Sequence, residues 1–353
     1  VSAPIAKPKK VSRNISQKHT SNMNTPFDKK DYKFGTEGLL SMYLETYQFI
    51  LGADLEMYAK EQNETFNKKN PCHIYFILRR PKVTINPDSF KTSGNKAQFD
   101  LTIHQKDGYG VINIATEFAE AKSNLELITE YPYNLFVIKD KKNTHMVARP
   151  STMIDSMEIG NNIKPEILDY EVLYIGQAFG KNGNRTALNR LFAHETLQKI
   201  YIHSLTQNPE SDIWIMLTSF SQVSFLFSIG NDFVNPKSKN KKQEDKLAEH
   251  FFDNNGFKFS EKQKINFTEA ALIKYFEPTY NSEFKNNFPN EKHKSYSECY
   301  DLDIRAVNIE IDTTEHIRNL FTKKAGNKSY HSAMYEFKND QDRLSFLGMI
   351  NDK

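Results

Sequence analysis

Cysteine is almost absent from this chain, with only Cys72 and Cys299 among 353 residues. Two thiols exclude a disulfide framework and a cysteine-based zinc site, and they suit a reducing compartment such as the cytoplasm. Long apolar runs are missing too: nothing approaches the ~20 residues that cross a bilayer as a helix. Mean hydropathy is −0.65, and no membrane partner is expected. The N-terminus lacks the apolar core of a secretory signal. Excess charge is also small, at +3. Affinity for a polyanion would therefore have to come from local patches rather than from a global field.

At 38% hydrophobic residues, the chain can bury a sizeable core, and two domains are expected behind a tail. Residues 1–33 read as a disordered basic tail, with Lys7, Lys9, Lys10, Arg13 and Lys18 set among Ser, Pro and Asn. Residues 34–150 read as an N-terminal α+β domain. Within it, Leu39, Met42, Tyr43 and Leu44, then Phe49, Ile50 and Leu55, follow an amphipathic helical rhythm across 36–66. Strands are expected at 73–78, 98–104, 110–114 and 135–139, with a helix at 116–130. Residues 151–353 form the second unit, with an insertion at about 225–262 and a C-terminal extension in which 314–324 reads as helix.

The most informative stretch is 171–195, EVLYIGQAFGKNGNRTALNRLFAHE. An apolar strand breaks at Gly176, crosses a polar loop and becomes a helix. On that helix Leu188, Leu191 and Phe192 form an apolar stripe, while Arg190 and His194, four apart, share the opposite side. A second segment, 266–281, reads as a helix stopped by Pro278. Glu269, Leu272, Ile273 and Phe276 fall on one stripe, which puts a carboxylate on the core-facing side. A buried carboxylate must meet a cation, a metal or hydrogen-bond donors. The structural alternative is a capping box with Asn266 as N-cap and Glu269 three residues later.

Tyr174-Ile175-Gly176-Gln177, then Arg190 to His194, then Glu269 and Pro278-Thr279-Tyr280-Asn281, together resemble the GIY-YIG nuclease superfamily over about a third of the chain. The resemblance implies an α+β fold: a small antiparallel three-stranded sheet flanked by helices, here with an additional N-terminal α+β domain. It also implies cleavage of phosphodiester bonds with one Mg²⁺ or Mn²⁺ per site. Carried over by position, Tyr174 matches the second-motif tyrosine, Arg190 the phosphate-binding arginine, Glu269 the metal-holding glutamate and Asn281 the closing asparagine. His194 matches a position held by His or Tyr. No Gly-Ile-Tyr precedes the strand. Tyr170, on the same nominal strand face as Tyr174, joins Tyr174 and His194 as a candidate general base.

These readings lead to an expected metal-dependent endonuclease acting on nucleic acid, with double-stranded DNA the expected partner. Gln177, Lys181, Asn184 and Arg185 are candidates for holding the nucleic-acid backbone along with Asn281, and the charged run at 237–246 is either a backbone clamp or a solvated insertion. The alternatives are a non-cleaving nucleic-acid-binding module and a regulatory protein-interaction protein. A rival motif, Asp100 with Glu120-Ala121-Lys122, resembles the metal set of PD-(D/E)xK nucleases. That chemistry needs Glu and Lys alternating on a strand, whereas the segment reads as helix, where residues two apart diverge.

Overall fold

In a computed structural model, the described residues are 36–60, 65–67, 70–121, 124–156, 164–179, 190–191, 194–228, 242, 245, 249, 259–286, 288 and 304–337. Leu40, Met42 and Leu44 point to one side of an extended chain, and so do Tyr47, Phe49 and Leu51. The pairing register slips between Leu44 and Thr46, so a bulge at Glu45 resets the alternation. Strand β1 (Thr36–Leu51) is therefore continuous although its apolar positions are not. This overturns the helix expected over 36–66, of which only α1 (Leu55–Lys60) is helical. Across the bulge Leu40, Leu44, Tyr47 and Leu51 acquire helical spacing while belonging to a strand.

The chain continues through β2 (Ile74–Pro81), β3 (Val83–Ser93), β4 (Lys96–Gln105), β5 (Gly108–Glu117), β6 (Glu126–Thr129), β7 (Phe136–Lys139) and β8 (Thr144–Ala148). Helix α2 (Pro150–Met153), β9 (Tyr170–Gln177), α3 (Glu195–Gln207), β10 (Ser211–Ser228) and α4 (Glu261–Phe276) follow. The last strands are β11 (Ile304–Asp312), β12 (Leu320–Thr322), β13 (Gly326–Lys328) and β14 (Tyr330–Glu336). The expected helices at 116–130 and 314–324 are thus replaced by strand and turn. In the second, Arg318 is buried and His316 stacks on Phe49 and Tyr170, tertiary contacts that override local propensity.

Eight strands form one mixed sheet in the order β13-β12-β9-β2-β10-β1-β11-β14. The expected small three-stranded sheet is wrong: β9 lies inside a far larger sheet, built from residues on both sides of Pro150. The two edge strands, β13 and β14, are joined through Ser329 alone. Such a link is possible only if the sheet curls until its edges nearly meet, and Thr313 N–H donates to the Ser329 carbonyl at 2.9 Å near that seam. Helix α4 fills the curl. Ile265, Phe267, Ala270, Ala271, Leu272, Ile273 and Phe276 are all buried and cover its whole circumference, the pattern of an enclosed helix rather than a surface one. Ser260 and Gln263 make a capping box at its start, which leaves Glu269 mid-helix and removes the capping explanation for that carboxylate. On the outer face, Leu197 and Ile200 of α3 pack against Tyr75, Ile77, Ile215 and Leu217.

Residues between β2 and β9 build two further three-stranded sheets, β3-β4-β5 and β6-β7-β8, around their own core. Arg80 ties them to the main sheet. Its fully buried guanidinium lies 4.1 Å from the Trp214 ring centroid and 4.6 Å from that of Tyr170, and it bonds Asp155 Oδ2 at 3.0 Å. Asp100, of the rival motif, stands on β4 and accepts from Asn113 at 2.6 Å, while Glu120 lies in a turn. Among the described residues no helix is long and apolar enough to cross a membrane.

Enclosure of α4 on all sides leaves no room for added volume. Ala270→Leu, at a fully buried position, is expected to lower unfolding stability by about 1–3 kcal/mol, read as a fall in the denaturant midpoint at constant slope. An unchanged midpoint would show a free face on the helix.

Candidate active site

Strand β9 pairs with β2 on one side, but β12 covers only Tyr170 and Glu171 on the other. The rest of its outer edge faces a cleft of about 540 Å³, and side chains from both strand faces reach it. Asn281 substitutes for the absent strand. Its Oδ1 accepts from Ile175 N–H at 2.9 Å and its Nδ2 donates to Ile175 O at 2.8 Å, while Tyr280 N–H donates to Leu173 O at 3.0 Å. Both ends of the Asn281 amide are therefore spent on backbone, and its part is to brace the edge.

A bulge decides which tyrosine faces the cleft. Ile77 pairs with Tyr174 but Leu78 with Val172, so Leu173 is the extra residue. A one-residue bulge reverses side-chain alternation beyond it. Tyr174 consequently turns to the α3 side, beside Tyr75 and His194, whereas Tyr170 turns to the inner core, where its hydroxyl donates to Asp155 at 3.1 Å. Burial, foremost, holds the Tyr170 phenol far above its usual range. Tyr170 is not part of the site.

Helix α4 presents Lys262, Asn266, Glu269 and Ile273 to the cleft, at i, i+4, i+7 and i+11 on one face. Glu269 is 9% exposed and accepts from Gln177 Nε2 at 2.6 Å; the same amide reaches Asn266 Oδ1 at 2.9 Å. Gln177 thus positions the carboxylate. Burial, opposed by the Gln177 bond and the Arg190 charge, pushes the Glu269 carboxyl up to about 7. Glu283, which lines the same cleft, pushes in the same direction.

Arg190 also lines the cleft, and its Nε is buried without a hydrogen-bond partner. The guanidinium lowers the phenols of Tyr75 and Tyr174, but burial outweighs it and both stay above their ordinary range. Tyr75 is fully buried, and its hydroxyl is likewise an orphan. Its ring centroid is 6.3 Å from that of Tyr174. Both rings crowd Gly176: a Cβ there would stand 2.6 Å from Tyr75 Oη and 2.7 Å from Tyr174 Cε1. The glycine is what lets the two tyrosines approach.

His194 does not continue the Arg190 helix. It is the N-cap of α3, and its Nδ1 accepts from Leu197 N–H at 3.1 Å. With Nδ1 engaged as acceptor, the neutral ring carries its proton on Nε2. The ring sits edge-on to Tyr174 at 5.2 Å and to Tyr75 at 5.8 Å, buried, and supports the pair as a helix cap.

Tyr174, Gln177, Arg190, Glu269 and Asn281 therefore converge on one cleft, His194 lies beneath it and Tyr170 is elsewhere. Lys181, Asn184 and Arg185 lie outside the described residues, as does most of 237–246. Sequence reasoning missed Tyr75. His73-Ile74-Tyr75 sits on a strand antiparallel to Tyr174-Ile175-Gly176, with Tyr75 opposite Gly176, but about a hundred residues separate the two tripeptides. Lys262 and Glu283 were also missed, and only the three-dimensional lining of the cleft picks them out. No family model, curated protein or solved structure matches the chain.

Among the described residues, no group of three or more His, Cys, Asp or Glu side chains could hold a metal. Mg²⁺ is commonly held by one or two carboxylates with water and substrate phosphate completing its shell. Glu269, with Glu283 and the Asn266 oxygen in the same cleft, fits that donor set.

The raised Glu269 pKa has a consequence for stability. The folded chain keeps this proton up to pH about 7, whereas an ordinary carboxyl loses it near 4.5. Across that window the folded state holds more protons, so the residue's contribution to stability falls as pH rises. Glu269→Gln is expected to stabilise the metal-free chain by up to about 3 kcal/mol at pH 8 and by little at pH 5. Equal melting shifts at both pH values would mean that the carboxyl titrates normally.

Proposed function

We propose that this chain is a metal-dependent endonuclease that hydrolyses phosphodiester bonds of nucleic acid, with double-stranded DNA as the expected substrate. The observation that carries the reading is the meeting of Arg190 and Glu269, far apart in sequence, with Tyr174 in one polar cleft. The sequence resemblance to the GIY-YIG superfamily supports the same reading, and Tyr75 supplies a counterpart for the absent first-motif tyrosine.

In this reading the scissile phosphate lies against Arg190, whose unpartnered Nε is a ready donor to a phosphate oxygen. Glu269 holds the single Mg²⁺ or Mn²⁺, which when bound supplies Lewis-acid polarisation of the phosphate. Tyr174 accepts a proton from the attacking water as a P–O bond forms and the bond to the departing sugar oxygen breaks. A phenol raised by burial needs neighbouring cations to ionise near neutrality, and Arg190 is the one placed to help. Gln177 aims Glu269, Asn281 fixes the strand edge, and His194 and Tyr75 back Tyr174.

Plasmid nicking with Mg²⁺ tests this. Arg190→Ala is expected to cut 10²- to 10³-fold more slowly, as when one charge-stabilising donor is removed, and Glu269→Gln to abolish cutting while the fold persists. Tyr174→Phe should lose more activity than Tyr170→Phe. Salt-sensitive binding without cutting by the parent would mark a binding module instead, and normal cutting by Glu269→Gln would overturn the assignment.

A further inference from the structure

Next to the cleft lies a second cavity of about 530 Å³, and the half-buried ring of Phe179 lines both. It opens where β2 begins, between β10 and the first turns of α4. Its walls carry two polar groups whose state is fixed by the surroundings. His73, 7% exposed, places Nδ1 2.6 Å from the Ala178 carbonyl oxygen. A carbonyl only accepts, so Nδ1 carries the hydrogen and Nε2 of the neutral ring is an acceptor. Ser219 is 8% exposed, and its Oγ has no hydrogen-bond partner. An orphaned hydroxyl in a buried wall costs stability unless something meets it.

The remaining lining is aromatic or apolar, with Phe179, Phe220 and Ile265 foremost. Its charges disfavour an anion. Glu45 is present, bonded to Ser221, and Lys264 is already paired with Glu261 at 2.9 Å. A flat, neutral group with a polar edge suits such a space.

We propose that this cavity receives a nucleobase: that of the nucleotide beside the phosphate held at Arg190, turned out of its stack. This rests on the nuclease reading of the adjoining cleft. Phe179 stacks against the base, His73 Nε2 accepts an N–H from its edge, and Ser219 Oγ makes the second hydrogen bond. Stacking on an aromatic side chain with hydrogen bonds to the base edge is how extruded bases are held. The site gives the cleft a means of selecting the nucleotide at which it acts.

Saturation-transfer NMR of the full chain with the four deoxynucleoside 5′-monophosphates, without metal, reads base contact directly. The expected result is transfer to the base protons of at least one, falling at least fivefold in Ser219→Val and in Phe179→Ala. Ser219→Val removes the hydroxyl but keeps a β-branched shape suited to a strand, so it decides the matter even if Phe179→Ala fails to fold. No transfer to any base, or parental transfer in Ser219→Val, overturns the base site, whether or not the chain nicks plasmid. Base transfer that depends on Ser219 in a chain that never cuts sustains the cavity and removes the nuclease reading. A dinucleoside monophosphate separates the two sources of a base. Binding at least tenfold tighter than the mononucleotide, with the gain lost in Arg190→Ala, marks nucleic acid. Equal affinity marks a free-nucleotide site and overturns the proposal.

Discussion

The enclosure of one helix by one sheet governs the rest of this structure. Helix α4 is buried on every side except where the edge of β9 is left uncovered. A carboxylate on such a helix can be accommodated only at that gap, because elsewhere it would meet apolar walls with no donor. Glu269 is there, held by Gln177 from the strand and facing Arg190 across the cleft. The same gap requires Asn281 to stand in for a missing strand, so that the edge stays rigid while remaining accessible. Rigid support of a few functional groups is what a preorganised site needs.

A second constraint is the close approach of two tyrosines over Gly176. Neither phenol is readied for ionisation by its own surroundings, since burial dominates both. Arg190 works against burial at each, and the buried Nε of Arg190 and hydroxyl of Tyr75 remain unsatisfied within the protein. Groups left in this condition are costly in a structural core. They make sense where a substrate anion completes them.

Much of the site was legible in the sequence, and much of the fold was not. Tyr174, Gln177, Arg190, Glu269 and Asn281 stand together because their spacing in strand, turn and helix is local, and local pattern survives long insertions. Tyr75 was hidden because its strand neighbour is about a hundred residues away, a distance over which periodicity carries no information. Bulges account for two other misreadings. The extra residue at Glu45 gave β1 a helical rhythm, and the extra residue at Leu173 placed Tyr170 and Tyr174 on opposite faces although they lie four apart. The large sheet was unreadable for a related reason. Its parallel pairs, β1 with β11 and β9 with β12, join segments distant in the chain, and no short-range signal announces them. His194 illustrates the limit of motif position: it is present as expected, yet its ring is used to cap α3.

The central claim is that α4 delivers Glu269 to the cleft as the anion that holds a divalent cation opposite Arg190. Counting bound Mn²⁺ by electron paramagnetic resonance, on the full chain with a short DNA duplex, tests it most directly. One ion per chain in the parent, with affinity at least tenfold weaker in Glu269→Gln and the melting temperature not lowered, is the expected result. Equal Mn²⁺ binding by parent and variant would contradict it.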